Sequence, residues 1–231
     1  MKLKLVLSIF LISVVSVVTF AREDGWVTKD YYVGDFNKIY LEGGFKVNLI
    51  QGDNCNIKVK ATNSDVFDNI EIENYNDRVS IELDMSFFEY RRVELFITFE
   101  TLKKLEIEGG VNLKTSGYLD LNDFSVSIEG GANIDLDMKA DEVKVSGEGG
   151  FLFDLNGVAQ KLEVSITGAG HVSASDFKTK DVVFVIAGFG TGSVYATRSL
   201  DAKIEGVGKL KYKGDPKVKQ YIDGLGSVKP Y

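Results

Sequence analysis

The sequence predicts an all-β protein built as a β-solenoid, a stack of short coils, and three observations support this fold class. First, the 231-residue chain holds 24 glycines, 2 prolines and many β-branched residues, a composition typical of strands joined by tight turns. Second, one short motif recurs along the chain at nearly constant spacing. Third, apolar residues alternate within each copy, as in ANIDLDM at 132–138, which places them on one face of a strand.

The recurring motif is an apolar residue followed by a polar residue and a glycine turn. Its first position recurs every 18–21 residues, at Ile107, Ile128, Gly147, Ile166, Ile186, Ile204 and Ile222. The apolar residue is replaced by glycine once, at Gly147. A second apolar column follows six residues later, at Leu113, Ile134, Phe153, Val172, Leu210 and Val228. A repeat this short cannot form a helical hairpin or a propeller blade. Each copy is therefore a coil of short strands that buries its apolar face by stacking on the next coil, about 4.8 Å away.

The sequence pattern of residues 22–100 predicts a less regular β-layer that caps one end of the stack. Residues 101–231 hold the regular repeats. The segment 70–83 alternates apolar residues on both sides of Asn76-Asp77, a pattern typical of a β-hairpin. A separate domain is the alternative for 22–100. No proline- or serine-rich linker marks a boundary, however, so one continuous domain is favoured.

The first 21 residues have the layout of a secretory signal peptide. Lys2 and Lys4 precede a 16-residue apolar run, Leu5–Phe20, and small residues stand near a cleavage site after Ala21. The alternative is a membrane anchor, but the run is shorter than the roughly 18–20 residues that span a bilayer. We therefore expect an exported protein of the periplasm, the outer-membrane surface or the medium, with no membrane insertion after signal removal.

The charge of the chain excludes several classes of partner, and its cysteine content excludes an internal disulfide. The net charge of −7 becomes −9 once Lys2 and Lys4 are removed, and such a surface repels nucleic acid and anionic lipid. Cys55 is the only cysteine, so no internal disulfide can form. The sequence offers no pattern for a cofactor, and association between copies of the chain is left open.

The N-terminal half carries a resemblance to a known family. The segment GDFNKIYLEGGFKVNLIQGDNCNIKV at 34–59, followed by GGVNL at 109–113 and GGANI at 130–134, resembles the auto-transporter adhesin head GIN domain family. That family is common in exported proteins of Bacteroidetes-type bacteria, and the resemblance covers nearly all of the chain from Val33 onward. It implies a single-stranded, right-handed β-helix with an adhesin-like role.

Two motifs suggest small-ligand sites. The stretch VFVIAGFGTGSVYA at 183–196 resembles a dinucleotide-binding turn, but strand-like alternation follows the glycines where a helix would have to begin, so we reject a nucleotide site. The residue before the glycine turn is acidic in successive coils, at Glu108, Glu129 and Glu148. These carboxylates are candidates for Ca²⁺ binding, although a solvated charged face is favoured because no calcium-binding repeat is present.

Catalytic constellations are not evident. His171 is the only histidine, and neither a zinc site nor a serine triad can be assembled around it. The spacing places it in an outward row with Asn112, Asn133, Ser193, Lys209 and Ser227. Cys55 is far from His171 in sequence and is expected to be inert. Carboxylates for glycan cleavage are plentiful, but coils of such even length leave no room for the long loops that form a catalytic cleft. We expect no enzyme activity.

One coil departs from the regular spacing. Ile186 and Val194 are eight residues apart where other coils keep six, which predicts a two-residue insertion and a bulge around Phe189–Gly192. Apolar residues also replace charged ones there, so Val185, Ala187 and Phe189 are candidates for partner contact. Together these features predict an exported, non-catalytic binding protein that contacts glycans or surface proteins. A polysaccharide-active enzyme and a structural envelope component are the alternatives.

Overall fold

The computed structural model of the protein describes residues 21–23, 25–84 and 92–231, which form strands and one short 3-10 turn at Ser64–Asp68. The strands are β1 (Ala21–Glu23), β2 (Trp26–Tyr31), β3 (Lys38–Gln51), β4 (Asn56–Ala61), β5 (Ile70–Tyr75), β6 (Arg78–Leu83), β7 (Val93–Phe99), β8 (Lys104–Thr115), β9 (Leu119–Asp120), β10 (Asp123–Ile166), β11 (Ala169–Ile186), β12 (Phe189–Ile204), β13 (Val207–Lys213), β14 (Lys217–Ile222) and β15 (Leu225–Pro230). Apart from Ala21, the predicted signal peptide lies outside these residues. Within them, no helix has the length and apolar character needed to cross a membrane.

The long strands stack in parallel, which confirms the predicted β-solenoid. Each strand from β8 onward bends through turns and pairs with the equivalent residues of the next coil. The first apolar column is in register as predicted, with the pairs Ile107–Ile128, Ile166–Ile186, Ile186–Ile204 and Ile204–Ile222. The isoleucines of this column from Ile107 to Ile204 are buried, so the period-two alternation fills one continuous core along the solenoid axis.

Aromatic rings explain the interruptions in the apolar columns. Gly147 replaces isoleucine because a Cβ atom there would overlap the ring of Phe151. Likewise, a Cβ atom at Gly192 would overlap the ring of Phe184, which fills the core at that level. Both phenylalanines are buried. Large and small residues of neighbouring strands thus compensate for each other in volume, as dense core packing requires.

The N-terminal layer is joined to the solenoid in one sheet. β3 pairs in parallel with β8 on one side and with β6 and β7 on the other. β4 and β2 then continue the sheet beyond β7 in antiparallel pairing. The predicted hairpin is confirmed: β5 and β6 are antiparallel, and Asn76 and Asp77 adopt φ angles of 53° and 60°, which a two-residue hairpin turn requires.

The predicted insertion around Phe189–Gly192 is wrong. Gly192 lies in register with Val172 and Leu210, so this glycine, and not Val194, occupies the second apolar column. The prediction counted residues between apolar side chains, and it was wrong because glycine occupies the expected apolar position. The ring of Phe184 fills the space that a side chain at Gly192 would need. The irregularity lies further on, where pairing between β11 and β12 jumps from Ala174 to Lys178.

Candidate functional site

A long groove of about 1250 Å³ runs along the solenoid axis on the side that follows the glycine turns. It extends from Phe45 in β3 to Leu225 in β15 and therefore crosses the parallel coils one after another. Two outward columns, each with one residue from each coil, form much of its surface. One column is glycine in the N-terminal coils, where we call it the floor row, and apolar in the C-terminal coils, where we call it the apolar row. The other column is the polar row.

The floor row consists of Gly110, Gly131 and Gly150, each the second glycine of a Gly-Gly pair. The first glycine of a pair is required by the fold: Gly130 has φ of 117°, and a Cβ atom there would lie 2.6 Å from the carbonyl oxygen of Gly109. The second glycine of a pair is not required by the fold. A Cβ atom at Gly131 would meet nothing within 4 Å. These second glycines leave the backbone bare, which allows a ligand to approach it closely.

The polar row forms one wall of the groove and continues outward from the floor. Asn112 pairs in register with Asn133, and His171 pairs with Thr191. The imidazole Nδ1 of His171 lies 2.6 Å from the Thr191 hydroxyl, which fixes the ring. This partner differs from the sequence prediction, which placed Ser193 beside His171. The members of the row that can form hydrogen bonds are Asn112, Asn133, His171, Thr191, Lys209 and Ser227.

The apolar row takes over the position of the floor glycines in the C-terminal coils. Phe189 pairs in register with Val207, and Val207 with Leu225. Their side chains are 68%, 43% and 76% exposed, so a continuous apolar ladder faces solvent. Such exposure in a row is unusual for a surface without a ligand or partner.

The three predicted partner-contact residues separate in the structure. Phe189 lies in the groove, whereas Val185 is half-buried on the adjoining face beside Ser165 and Ser146, in a separate shallow depression. Ala187 is exposed between them, at the turn. The structure therefore assigns only Phe189 to the groove, and contact with a partner remains a prediction for all three.

The predicted acidic residues form a ladder beside the glycine turns. Glu108 is in register with Glu42 and with Glu129, and Glu148 follows one coil further because Gly149 stacks on Gly130. All four are exposed. Among the described residues, no group of three or more acidic, histidine or cysteine side chains is arranged to hold a metal ion. The ladder is thus a row of separate carboxylates at coil spacing.

The strongest electrostatic perturbations lie outside the groove. Hydrogen bonds from Arg198 and then Ser199 lower the pKa of Asp181 to about 2. A hydrogen bond from Lys144 lowers the pKa of Glu142, which also contacts Lys161 across neighbouring coils. These are ion pairs between stacked strands, and they brace the surface of the solenoid.

Within the groove, the only ionisable side chains among the lining residues are His171 and Lys209. Cys55 is remote from them: it packs against the core of the N-terminal layer, with its sulfur 3.9 Å from the carbonyl oxygen of Phe36. The described groove therefore lacks the pair of carboxylates with which most glycan-cleaving enzymes work. What the groove offers is a bare floor, a hydrogen-bonding wall and an apolar ladder.

Sequence reasoning missed the groove. The repeat identifies outward positions, but it does not show that two of them together form a concave surface. One signal was available: the second glycine of EGG at 108–110, 129–131 and 148–150 changes to alanine, phenylalanine, valine and leucine in later copies. A glycine that the turn itself required would not have changed in this way.

Comparison with known proteins agrees with this architecture. The profile of the family described as "Putative auto-transporter adhesin, head GIN domain" matches residues 35–216. No curated protein matches the chain.

Several solved structures share the fold. A "putative adhesin" from Bacteroides fragilis is 23% identical with a TM-score of 0.83, covering 90% of this chain and 98% of its own. A "putative lipid binding protein" from Parabacteroides distasonis is 22% identical with a TM-score of 0.71, covering 90% and 97%. A "putative adhesin" from the same organism is 20% identical with a TM-score of 0.64, covering 89% and 97%. At these identities, the likeness shows the fold alone.

Proposed function

The chain belongs to the auto-transporter adhesin head GIN domain family, and from this premise we propose that it is an exported, non-catalytic adhesin that binds a glycan strand along the groove. The observation that carries the proposal is the groove itself, about 1250 Å³ in volume and open along the stack of coils. A rigid solenoid offers an extended binding surface of this kind, which suits a polymer better than a small molecule.

The two walls of the groove match the two kinds of surface on a sugar ring. The hydroxyl groups of a glycan need hydrogen-bond partners, and the polar row supplies amides, hydroxyls and an imidazole. The C–H face of a sugar is apolar and packs on flat apolar surfaces, which the exposed ring of Phe189 and the bare glycine floor provide. Both columns run parallel to the axis, so successive sugars would meet the polar row on one side and, on the other, bare glycine in the N-terminal coils or an apolar side chain in the C-terminal coils.

Binding should be measured on a glycan array and then by calorimetry with the best ligand. We expect Phe189→Ala to weaken binding about tenfold, the order of one lost aromatic contact. Tyr75→Ala is the matched control, because Tyr75 is 77% exposed but lies in the β5–β6 hairpin outside the groove. It should leave affinity unchanged.

A second variant tests the floor. Gly131→Leu places a side chain in open space, so the fold should tolerate it while the groove is blocked. We expect loss of binding with an unchanged unfolding midpoint. Absence of saturable binding to any glycan, or binding that survives both groove variants, would refute the proposal. Release of reducing ends from a bound glycan would instead favour the polysaccharide-active alternative.

A further inference from the structure

The two ends of the solenoid carry opposite charge. Residues 207–231, which we call the basic end, contain six lysines and two aspartates, a net charge of +4. Residues 63–84 at the opposite end contain seven acidic residues and one arginine, a net charge of −6. The overall negative charge argued against anionic partners, but the basic end does not share it. Charge separation of this kind orients a protein at a charged surface.

The basic end also exposes apolar and aromatic side chains. Every residue of β14 is exposed, including Val218, Tyr221 and Ile222. Leu225 and Tyr231 are 76% and 66% exposed on the same end. No described strand pairs with the outer edge of β14 or β15. Apolar groups thus lie among the lysines and not apart from them.

Lysine and tyrosine side chains lie together here. The ammonium groups of Lys211 and Lys213 lie 5.2 and 5.4 Å from the ring centre of Tyr231, and that of Lys203 lies 6.0 Å from Tyr221. Tyrosine and lysine are the side chains that suit a bilayer interface, because each has an apolar body and a polar tip.

Most lysines of the basic end are available for a partner. Lys213 and Lys219 form ion pairs with Asp176 and Asp201. Among the described residues, no ion pair involves the remaining four, which are Lys209, Lys211, Lys217 and Lys229. Elsewhere on the solenoid, lysines such as Lys144 and Lys161 are neutralised by glutamates of their own and neighbouring coils.

We propose that the basic end docks on the surface of an anionic lipid bilayer. The lysine ammonium groups contact lipid phosphates, while Tyr221, Leu225 and Tyr231 enter the headgroup region. The acidic end points away from the bilayer, because anionic lipids repel it. Since the groove runs along the solenoid axis, this orientation leaves most of its length accessible. A symmetric dimer through this end is disfavoured, because two basic ends would repel each other.

Co-flotation of the full chain with vesicles tests the proposal. We expect binding to phosphatidylcholine vesicles that contain phosphatidylglycerol, little binding to phosphatidylcholine alone, and release as salt is raised. A lysine near an anionic surface contributes about 5-fold to partitioning, so Lys217→Gln with Lys229→Gln should weaken binding roughly 30-fold. Lys178→Gln with Lys180→Gln, in β11, is the matched control, since it removes the same charge from two lysines that are also exposed but lie outside the basic end.

A second pair of variants tests the apolar contribution. Tyr221→Ser should reduce vesicle binding severalfold, whereas Tyr75→Ser, at the acidic end, should not. Circular dichroism and light scattering establish that each variant is folded and report its oligomeric state. Equal binding to neutral and anionic vesicles, no vesicle binding, or a dimer that masks the basic end would each overturn the proposal. Glycan binding is measured separately, so its failure would leave this result intact.

Discussion

The Gly-Gly pairs make a sharp prediction, because adjacent glycines in one turn should respond oppositely to the same substitution. At Gly130, φ is 117°, and an added Cβ atom would lie 2.6 Å from the oxygen and 3.0 Å from the nitrogen of Gly109. Real Cβ atoms do not approach backbone so closely, and that backbone belongs to the preceding coil. At Gly131, the added atom would meet nothing within 4 Å.

The expected magnitudes follow from these contacts. Gly130→Ala forces a non-glycine residue into a disfavoured φ region, which costs about 1–3 kcal/mol, and pushes two coils apart, which costs about 1–3 kcal/mol more. We therefore expect a loss of about 2–6 kcal/mol in the free energy of unfolding. Gly131→Ala should change stability by less than about 1 kcal/mol, and in the stabilising direction, because alanine restricts the unfolded chain.

Urea denaturation followed by circular dichroism measures both variants against the parent chain. The two proteins differ only in which neighbouring glycine carries the methyl group, so composition and helix or strand propensity cancel. Similar midpoints for the two variants would refute the distinction between a glycine that the fold needs and one that it does not. The groove floor would then have to be explained as part of the turn.

Three further predictions follow from the described contacts. Gly192→Val should destabilise the fold by about 1–3 kcal/mol through overlap with Phe184, and Phe184→Ala should recover part of this loss in the double variant, as a thermal denaturation cycle would show. Glu129→Gln should stabilise the fold by up to about 1 kcal/mol at low salt, since neighbouring carboxylates repel it, and the gain in denaturation midpoint should vanish at high salt. Asp181→Asn should cost about 0.5–1 kcal/mol at pH 7, a modest effect because Arg198 is largely exposed. Since the pKa of Asp181 is lowered to about 2, that difference should be lost as the pH falls from about 4 to 2, which urea midpoints at the two pH values would show.

The core of the solenoid could be predicted because stacking imposes the same rule on every coil. Ile107 and Ile128 sit in register since each coil must bury its apolar face on the next, and a period of 18–21 residues records that rule in the sequence. The hairpin at 70–83 was also predictable, because Asn76-Asp77 supplies the φ angles of its turn locally.

The groove and the register near Phe189 could not be predicted for a shared physical reason. Both depend on contacts between residues at different positions of the repeat. Gly192 follows the column only because the Phe184 ring fills its space, and a spacing rule that counts apolar residues cannot detect this. Likewise, the concave surface needs a bare Gly131 and an exposed Phe189 in different coils of one column, beside the polar row, which depends on how the coil bends at its turn.

Inward and outward positions of this fold are under different packing constraints, and this explains how a repetitive scaffold can carry a specific binding site. An inward residue touches neighbouring coils, so Ile166 and Ile186 must match each other in volume. An outward residue touches only its neighbours in the row, so the polar row can pass from asparagine to leucine, histidine, threonine and lysine without disturbing the stack. Each coil therefore sets one segment of the groove independently, and the order of the outward residues along the axis, more than the fold, determines which ligand fits.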